Sequence, residues 1–65
     1  MRISRVKIIT EMAKREINAI QLADMAGVSR CTVTSIRGGK RCSMRTAEKI
    51  AAALGVEVSA LMEVE

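Results

Sequence analysis

Apolar residues along this chain recur at helical spacing. Val6, Ile9, Met12 and Ala13 fall three or four positions apart and predict a first helix from about Arg5 to Arg15, with Ser4 as its cap. Leu22, Ala23 and Ala26 share one face of a second helix, Ala19–Ala26. Val33 and Ile36 do the same for a third, Arg30–Gly38, and Val28 adds an apolar contact in the turn between the two. Ala47, Ile50, Ala51 and Leu54 point inward from a fourth helix, Met44–Leu54. A short fifth helix, Ala60–Glu63, presents Leu61 and Met62. Ile17 falls in a connection and is expected to plug the core, and Val56 and Val58 lie in the connection before the last helix. Val56-Glu57-Val58 alternates, but three residues are too few for a strand. The expected fold is all-α, a compact bundle of five short helices.

The punctuation agrees with this division. Gly27, Gly38, Gly39 and Gly55 fall between the periodic stretches, and Gly39 suits a left-handed helix terminus. Asn18, Ser29, Ser43 and Ser59 each precede a helical pattern as potential N-caps. Asn18 with Gln21 three residues on has the form of a capping box. No repeat, linker or low-complexity segment interrupts the chain, so residues 1–65 are expected to form one domain.

Residues 19–38 read as a helix-turn-helix: two short helices, a glycine where the tight turn needs it, and apolar contacts on both sides. That geometry leaves one face of the second helix free for bases. Composition fits. The chain has 65 residues, 49% of them hydrophobic, with no aromatic residue and no proline, so the core is built from Ile, Val, Leu, Ala and Met. A core this small is marginal, and oligomerisation often supports domains of this size. The net charge is +4, and its placement says more than its size. Arg30, Arg37, Lys40, Arg41, Arg45 and Lys49 crowd a window whose one acid is Glu48, whereas everything after Ile50 is acidic or neutral. A basic middle beside an acidic end is either a set of solvated helix charges or the footprint of a nucleic-acid face; beside this motif, the second is favoured.

The layout resembles the DNA-binding domain of phage repressor and Cro-type (XRE-like) regulators. The resemblance lies in Leu22-Ala23-Asp24-Met25-Ala26-Gly27-Val28-Ser29-Arg30, followed by Val33, Ile36, Gly39-Lys40-Arg41 and Ile50-Ala51-Ala52-Ala53-Leu54-Gly55-Val56. It extends from the first helix through Leu61. It implies a lambda-repressor-like fold, with the second helix lying across the DNA backbone. The chain departs from the family pattern at Arg37-Gly38, where Glu-Asn often precedes the glycine that ends the recognition helix. It departs again at Cys42-Ser43, in a loop that is usually longer and contains proline. Glu16 stands where a small or turn-forming residue is common.

Arg30 heads the third helix, just after Ser29, where a recognition helix comes closest to base edges. It either grips guanine O6 and N7 in a bidentate fork or contacts phosphate as a surface arginine. Cys31, Thr34 and Ser35 share its exposed face and are assigned with it to base reading. Their small side chains let the helix backbone sit deep in a groove. Thr32 is assigned to phosphate, although Thr32 and Thr34 have the alternative of bonding their own helix backbone. Gln21, near the amides that open the second helix, reaches phosphate or closes the capping box. Arg37, Lys40 and Arg41 are expected to neutralise phosphates, which positions a protein without specifying sequence. Arg45 and Lys49 extend that patch or are simply solvated. A two-fold dimer would place two recognition helices about 34 Å apart. Val58, Leu61, Met62 and Val64 form the expected homodimer seam, unless Leu61 and Met62 only close the core of their own subunit.

Catalysis is not expected. The chain has no histidine, its acids stand singly, and Gly38-Gly39-Lys40 lacks the spacing of a phosphate loop. No metal spacing, cofactor or small-molecule ligand is evident. No apolar run is long enough for a signal peptide core or a membrane span, so a cytoplasmic protein with reduced Cys31 and Cys42 is expected. Two functions remain. One is a sequence-specific double-stranded DNA-binding transcriptional regulator, most simply a repressor. The other is a helical protein-interaction module, antitoxin-like or adaptor, that keeps the fold without reading bases.

Overall fold

The computed structural model describes residues 2–62. Helix α1 spans Arg5–Lys14, α2 Ala19–Ala26, α3 Arg30–Arg37 and α4 Met44–Leu54. Each begins at a short polar side chain that accepts an amide: Ser4 from Lys7, Asn18 from Gln21, Ser29 from Thr32 and Ser43 from Thr46. Such caps satisfy donors that a helix start otherwise leaves open. In place of the expected fifth helix, Ala60–Glu63, a single helical turn, α5, stands at Val58–Leu61, so the bundle is four helices and a turn. The turn starts at Val58, two residues before the expected Ala60, and its N-cap, Glu57, makes no side-chain cap bond, so Ser59 lies inside the turn and not at its head. The shift puts Val58 and Leu61 on one face toward the core.

The helices α1 to α4 also end alike. A left-handed residue follows each, and the two amides after the last turn fold back on its carbonyls. Gly27, Gly39 and Gly55 hold this position with φ of 70°, 93° and 70°. After α1 the position falls to Glu16, with φ of 52°. Its N–H donates to the Ala13 carbonyl at 3.1 Å, and that of Ile17 to Met12 at 3.2 Å. Gly38, the other glycine of the pair after α3, keeps an ordinary right-handed backbone with φ of −80°.

The core joins Ile8 and Met12 of α1, Leu22 and Ala23 of α2, Val33 and Ile36 of α3, four residues of α4 (Ala47, Ile50, Ala51, Leu54), Leu61, and Ile3 ahead of α1. The inward residues of α2, α3 and α4 are those the periodicity marks, and Ile17 packs against them as expected. The expectation for α1 is corrected. Val6 is 74% exposed, Ile9 42%, and Ala13 faces solvent, while Ile8 is fully buried. Two stripes on this helix have nearly the same period, and distant contacts choose between them. Ile3 forms an antiparallel bridge with Met62, and the Ser4 N–H donates to the Leu61 carbonyl at 2.7 Å. Lys7 Nζ donates to the Met62 carbonyl at 3.1 Å, and Arg5 Nε to the Arg37 carbonyl at 3.1 Å. These tethers rotate α1 so that Ile8 and Met12 face inward.

Candidate nucleic-acid interface

The Gly27 turn and the Ser29 cap decide what α3 shows to solvent. The Val28 N–H reaches back to the Ala23 carbonyl at 3.0 Å, closing α2, and α3 opens two residues later with Arg30 as its first helical residue. Burial of Val33 and Ile36 then fixes the phase. Arg30, Cys31 and Thr34 are exposed and Ser35 is half-exposed on the opposite face. The four residues expected to read bases are therefore brought together. Arg30 makes no hydrogen bond or ion pair with another described residue, so its donors are available. Other cations differ: Lys14 and Arg15 engage Glu11 at 3.3 and 2.8 Å. Arg15 first, then Lys14, holds the Glu11 carboxyl below its ordinary pKa.

A shallow groove runs between the start of α2 and this face, lined by Ala19, Ile20, Arg30, Cys31, Thr34 and Ser35. Both helices begin here, so their positive ends flank it. Gln21 closes the capping box: its Oε1 accepts from the Asn18 N–H at 2.9 Å while its own N–H donates to Asn18 Oδ1 at 2.8 Å. Its amide NH2 takes no part in the box and is the group left for a phosphate. Thr32 is also drawn into a cap. Its N–H donates to Ser29 Oγ at 3.1 Å, and the two hydroxyls lie 2.8 Å apart.

The far end of α3 is more basic than the sequence indicates. Arg37, Lys40 and Arg41 are exposed there. Arg2 Nε donates to the Gly39 carbonyl at 3.1 Å, beside the bond from Arg5 to the Arg37 carbonyl. Two arginines from the start of the chain thus sit on the negative end of α3, which favours cations. They are 37 and 32 positions away from their acceptors, and no local pattern announces them. Arg45 and Lys49 are exposed on α4. Cys31 and Cys42 do not bridge; both line a second groove with Thr32, Ser35, Lys40 and Arg41, and burial pushes the Cys42 thiol up.

Of the expected dimer seam, Leu61 does not lie at the surface. Leu61 is fully buried within its own subunit, and Val58 packs against the same core. Met62 is half-buried, with its backbone tied to Ile3 and Lys7. The apolar side chain of Leu61 is consumed by the small core and is not available to a partner. Val64 lies outside the described residues. Ile20 was not marked by the sequence reading: it is 54% exposed in the groove beside Arg30, and its apolar character gave no sign of a surface position. Among the described residues no helix is long and apolar enough to cross a membrane, and no three metal-ligating side chains cluster.

Comparison with known proteins places this geometry. The sequence pattern of the Cro/C1-type HTH DNA-binding domain matches residues 7–65. No curated protein matches the chain. Among solved structures, the chain is similar to part of a hydroxyethylphosphonate dioxygenase carrying a Y98F substitution, with a TM-score of 0.87 and 33% identity over 98% of this chain. It is similar in the same way to PhpD with cadmium, with a TM-score of 0.84, 31% identity and 98% of this chain covered. The chain spans 14% of the length of each of these structures.

Proposed function

The chain belongs to the family of Cro/C1-type HTH DNA-binding domains, and on that premise we propose that it is a sequence-specific transcriptional regulator acting as a repressor. It binds a two-fold symmetric operator in double-stranded DNA as a homodimer, with α3 in the major groove. It acts by occupying DNA, without catalysis or a cofactor, in the cytoplasm. The observation that carries this reading is the outward face of α3, where Arg30 stands uncommitted at the first helical position among small polar side chains. Arg30 supplies the bidentate fork for a guanine, and Cys31, Thr34 and Ser35 allow close approach. Arg37, Lys40, Arg41 and the amide end of Gln21 supply phosphate contacts, each cation adding about 0.9 to the salt slope.

The test is selection from random duplexes with the wild type and Arg30→Ala. A palindromic consensus with half-sites about one helical turn apart supports the dimer. Loss of one guanine preference in Arg30→Ala, worth about 1–3 kcal/mol, supports base reading. The same consensus with undiminished discrimination removes Arg30 from that role. A second reading has one specific observation in its favour: the same fold forms a small part of a phosphonate dioxygenase. In that reading the chain is a helical interaction module. Indifference to every duplex sequence at low salt would support it.

A further inference from the structure

We propose that Ile20 is a second determinant of sequence preference, making apolar contact with the 5-methyl group of a thymine next to the base pair that Arg30 reads. This rests on the reading of α3 as the base-reading helix. Ile20 is the second residue of α2 and precedes the buried Leu22 by two positions, roughly 200° around the helix. It therefore faces away from the core and is 54% exposed. Nothing local requires a branched apolar residue there, since the capping box uses Asn18 and Gln21. Among the described residues, the other exposed apolar residues of this size are Val6 and Ile9 on α1, Met25 at the end of α2 and Met44 at the start of α4. None of these lines the groove that holds Arg30, and Ile20 does.

The groove's chemistry matches one edge of a duplex. Its described lining carries one cation, the thiol of Cys31, two hydroxyls and no anion, with Ile20 as the branched apolar member. The major groove presents acceptors on guanine and an acceptor beside a methyl group on thymine. A guanidinium fork and an sec-butyl side chain on the two walls of one groove complement those two features on neighbouring bases. The start of α2 thereby contributes to base discrimination as well as to backbone contact.

The experiment uses the full chain and the duplex selected by the wild type. Each thymine is replaced in turn by deoxyuridine, which removes the methyl and nothing else, and binding is followed by fluorescence anisotropy for the wild type and Ile20→Ala. Thermal melts establish that the variant remains folded. At one thymine, deoxyuridine should weaken wild-type binding about fourfold, the value of one buried methyl. The same replacement should leave Ile20→Ala unaffected. If both proteins respond alike at every position, or neither responds anywhere, Ile20 reads no methyl, while the DNA reading stands. If the wild type selects no duplex at all, the reading of α3 fails and this proposal fails with it.

Discussion

Replacing Glu16 with glycine should stabilise the domain. Three of its four equivalent helix-ending positions carry glycine, and Glu16 adopts the same left-handed backbone with a φ of 52°. A side chain in that region costs about 1–2 kcal/mol through crowding of Cβ against the following carbonyl. Glycine removes that cost but frees the unfolded chain, which returns about 0.5–1 kcal/mol. The difference of the mid-range values is an expected net gain of about 0.75 kcal/mol. Glu16 is exposed, so no packing is lost. In a domain of this length about 1 kcal/mol shifts Tm by roughly 4–8 °C, which puts the expected rise for Glu16→Gly at about 3–6 °C by circular dichroism. Glu16→Asn should give a smaller rise, because Asn tolerates this backbone better than Glu. Glu16→Gln removes only the charge and is the control. If Glu16→Gln raises Tm as much as Glu16→Gly, the effect is electrostatic and the backbone argument is wrong.

Leu61→Ala should cost about 2–5 kcal/mol, the range for a fully buried leucine, and urea unfolding should show a large drop in midpoint at every protein concentration. A loss confined to self-association, with an unchanged dilute midpoint, would return Leu61 to an interface. The Arg15–Glu11–Lys14 cluster should add a slope to stability at low pH. The Glu11 carboxyl is lowered in the folded state from about 4.5. Its contribution is therefore present above that value and lost as pH falls through the lower folded value. Glu11→Gln should flatten the fall of urea midpoints as pH drops below about 4.5; an unchanged slope would show that this exposed cluster adds nothing.

The elements legible in the sequence are those fixed by neighbours in the chain. Asn18 with Gln21, Ser29 before Arg30, and Gly27 and Gly55 after apolar stripes set the limits of α2, the start of α3 and the end of α4, because caps and left-handed turns act over three to five residues. The outward face of α3 follows from the same source, since burying Val33 and Ile36 leaves Arg30, Cys31 and Thr34 outside. What escaped depends on contacts between distant parts of the chain. The phase of α1 is set by Ile3, Arg5 and Lys7 reaching residues more than thirty positions away. Leu61 is expected in a dimer seam, and its burial follows only from contacts with helices distant in the chain. Glu16 had signalled its position only by resemblance, as a residue where a turn-former is usual; its positive φ supplies the physical reason.

The pairing of Ile3 with Met62 brings the two ends of the described chain side by side, about 5 Å apart across the bridge. A fold closed in this way makes little demand on whatever precedes or follows it. Ends held together in this way meet the geometric condition for placing a domain in a surface loop of a larger polypeptide without stretching the host. The same closure ties α3 to that junction through Arg2 and Arg5, so strain applied there would be felt first at the C-terminal end of α3.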